Sequence, residues 1–139
     1  MRAIYILPLL LCAVLACDKP ATKKRALTYH GLMGFVDTPI PGGSVGPVFL
    51  VAGWAIGRQP VDSVRIYIDD EIVGTATIMI PRPDVDREYP HLAGSGPNHG
   101  FTTTVDAGSR SGYHTVRIEA IDRTGARAHV ASQNVNILQ

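Results

Sequence analysis

The stretch 64-VRIYIDDEIVGTATIMI-80 predicts the fold class of this chain. Its first five residues alternate between aliphatic and polar side chains, so the aliphatic side chains share one face of an extended strand. Asp69-Asp70-Glu71 is a polar segment suited to a turn, and residues 72–80 return as a second strand. The stretch therefore predicts an antiparallel β-hairpin with one buried face.

Short segments of this kind recur along the chain between turns rich in Gly and Pro, and no helical period is found beyond residue 17. The densest apolar run, VFLVAGWAI at 48–56, is expected to form a central strand. Seven strands within residues 28–139 predict an all-β fold, an immunoglobulin-like antiparallel sandwich. The predicted strands are 29–37, 48–56, 64–68, 72–80, 101–105, 113–121 and a last strand that ends at residue 137.

Two segments depart from simple alternation. Residues 81–99 contain four prolines and are expected to form a long loop through which no ladder can run. In the last strand, Val130 and Ile137 cannot both face the core if the strand keeps a period of two. Either Ala131 replaces Val130 on the inner face, or a β-bulge near residues 132–134 shifts the register.

A set of short motifs lies in order along the predicted sandwich. These motifs are Gly53-Trp54-Ala55, Asp69-Asp70, Val73-Gly74-Thr75-Ala76, Arg82-Pro83-Asp84-Val85, Tyr89-Pro90, Gly100-Phe101, Asp106 and Gly112-Tyr113-His114. On these residues, segment 34–137 resembles a bacterial Ig-like domain that is often found in exported and cell-envelope proteins. The resemblance implies a sandwich that usually has no catalytic activity of its own and that serves as an accessory module beside other domains.

The N-terminus has the layout of a signal peptide that covers residues 1–16. A short basic start precedes an apolar run at 4–15, which is too short to cross a hydrocarbon layer about 30 Å thick. The run ends Val14-Leu15-Ala16-Cys17, which resembles the lipobox of bacterial lipoproteins. The resemblance implies cleavage before Cys17 and covalent attachment of lipid to its thiol. The alternative is an ordinary signal peptide that leaves Cys17 free.

Charge is distributed unevenly after the predicted cleavage point. Residues 17–27 form a basic tether with three lysines and one arginine against one acid, whereas residues 28–139 have eight arginines, no lysine and eleven acids. The tether is expected either to approach anionic headgroups or to act as a solvated spacer. We therefore expect an exported protein of the bacterial cell envelope, anchored by lipid to its inner or outer membrane. Nucleic acid is not an expected partner, because the folded part lacks a basic patch.

Metal binding and nucleophilic catalysis find little support in the motifs. Asp84 and Asp86 resemble the start of a calcium loop, but the sixth and twelfth positions of an EF-hand are wrong, which leaves only a looser calcium site as an alternative. Asp84 is expected instead to pair with Arg82 or Arg87, or to cap backbone N–H groups. Gly108-Ser109-Arg110-Ser111-Gly112 is not a nucleophile elbow, because its central residue is an arginine.

The histidines are likewise expected to have structural roles. His91 and His99 supply too few ligands for a zinc site, which needs three or four. Strand parity places His114 on an inner face, where we expect it to donate to a loop carbonyl as a buried residue. The sequence thus predicts no enzyme activity, no metal and no cofactor other than the covalent lipid on Cys17.

Trp54 marks the candidate binding surface. If the even-numbered residues of the central strand face outward, Leu50 and Trp54 form an exposed pair. The alternative, which we favour, is that residues 81–99 fold over this face and bury it.

The expected function is a non-catalytic, lipid-anchored envelope protein whose Ig-like domain is an accessory, structural or protein-interaction module. The alternative is a carbohydrate-binding module that uses Trp54, Tyr89 and His91, which would require an exposed aromatic platform lined by polar groups.

Overall fold

The structure of the protein, a computed structural model, describes residues 27–29 and 31–139. Within them, ten strands form two sheets of five strands each, which pack face to face as a β-sandwich. Seven strands are 7 to 11 residues long and correspond to the seven predicted from sequence, and the other three have two or three residues. The strands are β1 (Leu27–Tyr29), β2 (Leu32–Thr38), β3 (Ser44–Val45), β4 (Val48–Gly57), β5 (Val61–Ile68), β6 (Glu71–Thr77), β7 (Ile80–Pro81), β8 (Asn98–Asp106), β9 (Gly112–Asp122) and β10 (Arg127–Ile137).

The strand order confirms the predicted immunoglobulin-like sandwich. The first sheet has the order β1-β2-β4-β8-β7 and the second has the order β3-β10-β9-β5-β6. Among the seven long strands, the chain crosses between sheets from β4 to β5, from β6 to β8 and from β8 to β9. Neighbouring strands are antiparallel except for the short β3–β10 pair. Crossings of this kind let both inner faces contribute to one core.

The hairpin of residues 64–80 forms as predicted in its first part. Val64, Ile66 and Ile68 are fully buried between the sheets, and Arg65 lies on the outer face with Tyr67. The strands β5 and β6 are joined at a tight turn in which Asp69 has a positive φ of 56°. A short polar residue such as Asp tolerates this left-handed conformation better than a β-branched residue such as Ile68 would.

The first predicted strand, 29–37, is instead two strands. Leu27–Tyr29 pairs antiparallel with the start of β2, and Gly31, with φ 80°, lies between the two. Leu27, which sequence analysis assigned to the tether, therefore belongs to the sheet. Glycine adopts such a positive φ without steric cost, so the chain can reverse direction at this point.

The parity conflict in β10 is resolved by a bulge upstream of the expected position. The register with β9 shifts between His129 and Ala131, and Val130 and Ala131 are both buried. The space for Val130 exists because Gly34 on β2 has no side chain. A Cβ added at Gly34 would lie 2.6 Å from Cγ2 of Val130.

The 81–99 segment, predicted as a loop without helix or ladder, has both. It begins with Pro81 paired with Asn98, and it contains a six-residue helix α1 (Pro83–Glu88) and a 3-10 helix at Ala93–Ser95. Proline is tolerated in the first turn of a helix, and two acidic residues follow it there. A helix of six residues is too short to leave a recognisable hydrophobic period in the sequence.

Candidate functional site

The 81–99 segment folds over Trp54, which confirms the arrangement favoured from sequence. Trp54 lies on the outer face of the first sheet opposite Phe35 of β2, and only 8% of its surface is exposed. It packs with Ile56, Val85 and Leu92 in a second apolar cluster, separate from the core between the sheets. Val85 and Leu92 are supplied by the 81–99 segment, so this cluster attaches the segment to the sheet.

The exposed Leu50/Trp54 pair is therefore not formed. Leu50 points outward as predicted and is 48% exposed, but Trp54 is covered. His91 is also exposed, yet it does not line the cavity next to Trp54, whereas Tyr89 does. Of the four residues proposed from sequence as a binding surface, the structure brings only Trp54 and Tyr89 together.

Trp54 and Tyr89 contribute aromatic rings to an open groove of about 280 Å³. Their ring centroids are 5.4 Å apart, with the ring planes tilted by 43°. The groove lies between the 81–99 segment and the outer face of the first sheet, and its lining residues are Phe35, Asp37, Trp54, Arg82, Asp84, Val85, Glu88 and Tyr89. It thus combines aromatic side chains with charged ones.

Sequence analysis missed Phe35, Asp37 and Glu88 as members of this groove. Phe35 and Asp37 occupy alternate positions of β2, so strand parity could have placed both on the outer face with Trp54. Glu88 lies in α1, and only the packing of that helix against the sheet brings it to the groove.

Arg82 connects the 81–99 segment to β2 through its side chain. Its Nε and Nη2 donate to the two carboxylate oxygens of Asp84 at 2.8 and 2.7 Å, and its Nη1 donates to Oδ2 of Asp37 at 2.7 Å. The hydrogen bond from Arg82 is the main reason that the pKa of Asp84 falls from 3.8 to about 2. The same bonds raise the pKa of Arg82 above its usual range, so both groups stay charged.

Asp84 and Asp86, the pair considered for calcium, have different partners. Asp84 binds Arg82, as sequence analysis favoured, whereas Oδ1 of Asp86 lies 2.8 Å from Nε2 of the buried His99. Through this contact, His99 of β8 holds helix α1 against the first sheet. Among the described residues, no group of three or more His, Cys, Asp or Glu side chains could hold a metal ion.

His114 makes the predicted contact with a loop carbonyl but is only partly buried. Its Nε2 lies 3.1 Å from the carbonyl oxygen of Ser111, and its Nδ1 lies 2.8 Å from Oδ2 of Asp69. The side chain is 21% exposed, so the expectation of full burial is wrong. Asp69 also accepts a hydrogen bond from the N–H of Thr115, and these bonds, His114 first, lower the pKa of Asp69. The cluster joins the β5–β6 turn to the start of β9.

The predicted lipidation site, Cys17, lies outside the described residues, as do the signal peptide and residues 17–26 of the tether. In the part of the chain that the structure describes, no helix is long and apolar enough to cross a membrane. Cleavage and lipid attachment stay predictions.

No protein-family model and no curated protein match this chain. Among solved structures it is similar to the fibronectin(III)-like modules of Clostridium thermocellum CbhA, at 17% identity and a TM-score of 0.49, over 76% of this chain and 94% of that chain. CopC from Methylosinus trichosporium OB3b is similar at 14% identity and a TM-score of 0.38, over 76% of this chain and 96% of that chain.

A lytic polysaccharide monooxygenase from Jonesia denitrificans is also similar, at 11% identity and a TM-score of 0.46. The match covers 72% of this chain and 60% of the monooxygenase, so this chain spans less than two thirds of that protein's length. At such identities the similarities concern the sandwich fold alone.

Proposed function

We propose that this chain is a non-catalytic, lipid-anchored protein of the bacterial cell envelope whose sandwich domain binds a partner protein on the outer face of its first sheet. The lipid anchor is inferred from the lipobox-like sequence that ends at Cys17. The binding surface is inferred from the groove beside Trp54 and from the surface that adjoins it.

An apolar strip on β4 leads into the groove, and this observation supports a protein partner. Val48, Leu50 and Ala52 share the outer face with Trp54, and Val48 and Leu50 are 58% and 48% exposed. Polar side chains flank the strip, since Leu50 and Ala52 lie opposite two exposed threonines of β8. An apolar centre with a polar rim is typical of surfaces that bind other proteins.

The carbohydrate-binding alternative has less support from this geometry. A sugar-stacking platform needs an open aromatic face, whereas the 81–99 segment covers most of Trp54. The exposed part of the face is aliphatic at Leu50 rather than aromatic. A glycan is the second candidate, because the groove places Tyr89 near the carboxylates of Asp37 and Asp84, which can accept hydrogen bonds from sugar hydroxyls.

Site-specific photo-crosslinking in the native envelope tests the proposal. A benzoylphenylalanine at position 50, on the apolar strip, should give an adduct of one defined mass that mass spectrometry identifies as a protein. The same probe at position 72 is the matched control, because Ile72 is a similarly exposed aliphatic residue of the second sheet, at 51%. Equal adducts from both positions, or none from either, would contradict binding at this surface. An adduct that glycosidase treatment removes would favour the glycan.

A further inference from the structure

Three large apolar side chains are exposed at one end of the sandwich, where β2 and β10 end and β9 begins. Ile40 follows β2 and is 68% exposed, Tyr113 is the second residue of β9 and is 75% exposed, and Leu138 follows β10 and is 52% exposed. Asn136 lies opposite Tyr113 in the β9–β10 ladder. The N–H of Asn136 also donates to the carbonyl oxygen of Gly43 at 2.9 Å, and a Cβ added at Gly43 would lie 2.8 Å from Cγ1 of Ile40. The three apolar side chains therefore belong to one surface, the apolar end.

Acidic side chains in the turns near the apolar end have partners within the protein. These pairs are Asp69 with His114, Asp70 with Arg117, Glu71 with Arg110, and Asp106 with the N–H of Gly108. Two of the carboxylates are thus compensated by an arginine. Contact of this end with a membrane would depend on buried apolar area rather than on attraction to anionic lipid.

The direction of β1 places the first described residues toward the apolar end. Because β1 is antiparallel to β2, Leu27 lies opposite Gly34 and closer to the apolar end than Tyr29 does. From this level, the end of β2 at Thr38 is about 13 Å away, at about 3.3 Å per residue. Cys17 precedes Leu27 by ten residues, which reach at most roughly 35 Å. A lipid on Cys17 can therefore hold the apolar end at the surface of a bilayer.

The side chains of the apolar end are of the kind that enters the interface of a bilayer. Tyrosine is enriched at membrane–water interfaces, because its ring is apolar and its hydroxyl group stays hydrated. Aliphatic side chains such as those of Ile40 and Leu138 gain free energy when they leave water for the boundary between headgroups and acyl chains. A neutral lipid surface therefore matches the chemistry of this end.

We propose that the apolar end contacts the surface of the membrane that carries the lipid anchor, with its three apolar side chains in the interfacial layer. This inference rests on the proposed function, because it requires the lipid on Cys17. β4 begins at the same end with Val48, and Trp54 lies six residues further along the strand, about 20 Å from that end. The groove beside Trp54 is then held away from the lipid surface, where a partner protein can reach it.

Nitroxide labels measure how deeply each end of the sandwich lies in the bilayer. The mature lipoprotein is reconstituted into phosphatidylcholine vesicles after Tyr113→Cys, Leu138→Cys or Met79→Cys, and the new thiol is labelled. Met79 is the matched control, because it is 64% exposed and follows β6 at the opposite end. Collision of the label with oxygen, which partitions into lipid, is compared with collision with a water-soluble nickel chelate. The oxygen-to-nickel collision ratio should be severalfold higher at positions 113 and 138 than at position 79.

A charged substitution tests whether the side chains themselves make the contact. Tyr113→Asp should lower the collision ratio of the label at position 138 toward that at position 79, because a carboxylate resists transfer out of water. Met79→Asp should leave the ratio at position 138 unchanged. Both substituted residues are exposed, so the urea midpoints should stay at the wild-type value. Equal ratios at the three labelled positions, or an unchanged ratio at 138 in Tyr113→Asp, would overturn the inference.

Vesicle flotation separates this inference from the proposed function. Protein that does not float with the vesicles would contradict the lipid anchor itself. Protein that floats while its labels at 113 and 138 stay exposed to water would retain the anchor and overturn only the contact. Spin–spin broadening at position 113 that persists as the protein is diluted with lipid would assign the apolar end to a second copy of the chain and would also overturn the membrane contact.

Discussion

Arg82 and Asp37 are joined across two elements that are 45 residues apart in sequence, with Nη1 of Arg82 donating to Oδ2 of Asp37 at 2.7 Å. Arg82 directly precedes α1, and Asp37 lies at the end of β2 on the outer face of the first sheet. The contact fixes the 81–99 segment beside the groove that it helps to form. The position of the segment, and with it the shape of the groove, therefore depends on a polar connection as well as on the apolar packing of Val85 and Leu92.

Arg82→Gln should loosen the 81–99 segment from the sheet and expose Trp54. The substitution removes the guanidinium donors to Asp37 and Asp84, so the segment keeps its apolar contacts, the pairing of Pro81 with Asn98 and the contact between Asp86 and His99. We expect a red shift of Trp54 fluorescence and faster quenching by acrylamide. Arg87→Gln is the control, because Arg87 is an exposed residue of the same helix. Equal quenching of Trp54 in the two variants would show that the hydrogen bonds from Arg82 to Asp37 and Asp84 do not hold the segment.

Gly53→Ala should severely destabilise the sandwich. A Cβ at position 53 would overlap the carbonyl oxygen of Phe35 and would lie 3.0 Å from Cζ of Phe101. Because neither the β2 backbone nor the buried ring can easily move, we expect a loss of about 3 kcal/mol or more in the free energy of unfolding. Gly94→Ala has no heavy atom within 4 Å of the added Cβ and should change it by less than about 0.5 kcal/mol. Urea denaturation measures both.

Acid should weaken the attachment of the 81–99 segment. The folded-state pKa of Asp84, about 2, lies below its ordinary value of 3.8, so its stabilising contribution is complete above about pH 4 and is lost as the pH falls through 2. The pKa of Asp69, in the β5–β6 turn, is also lowered, chiefly by the hydrogen bond with His114, so its protonation at low pH further reduces the free energy of unfolding. Asp84→Asn should reduce the steepness of the fall in stability between pH 4 and 2. An unchanged pH profile in that variant would contradict the role given to the Arg82 pair.

His114→Ala should lower the free energy of unfolding by roughly 0.5–1.5 kcal/mol, because it removes the contacts with the Ser111 carbonyl and one Asp69 oxygen at a site that water can partly reach. Tyr113→Ala is a suitable control, since Tyr113 is the neighbouring residue and is 75% exposed. Equal urea midpoints for the wild type and the His114 variant would show that this cluster contributes nothing to folding.

Cys17→Ser should abolish labelling by radioactive palmitate and leave the protein uncleaved or soluble. The thiol is the predicted acceptor of lipid, and a hydroxyl does not replace it in this modification. Cys12→Ser, within the predicted signal peptide, is the matched control and should retain labelling. Unchanged labelling and membrane association in Cys17→Ser would rule out the lipoprotein assignment.

Alternation alone predicted most of the sandwich. Residues 64–68 alternate so regularly that only an extended strand places Val64, Ile66 and Ile68 together in the core. A bulge in β10 was one of the two alternatives left open by the sequence, and it was expected near residues 132–134, whereas the structure has it between His129 and Ala131. Its position depends on Gly34 of another strand, which leaves room for Val130, and no local pattern in β10 contains that information.

Only part of the groove could be predicted from the sequence, because the rest depends on contacts between separate segments of the chain. Trp54 was placed on the outer face by strand parity, and its covering by residues 81–99 was the favoured arrangement. Glu88 and the link between Arg82 and Asp37 could not be foreseen, because they depend on how a six-residue helix packs against a sheet.

The sequence by itself thus determined the fold class, the faces of the long strands and the order of the elements, since these follow from periodicity and turn residues that act locally. Only the tertiary structure decided which side chains meet in the groove. Phe35, Asp37, Trp54, Arg82 and Tyr89 come from three separate segments of the chain. Their approach is fixed by long-range packing and by ion pairs, and neither leaves a periodic signal along the sequence.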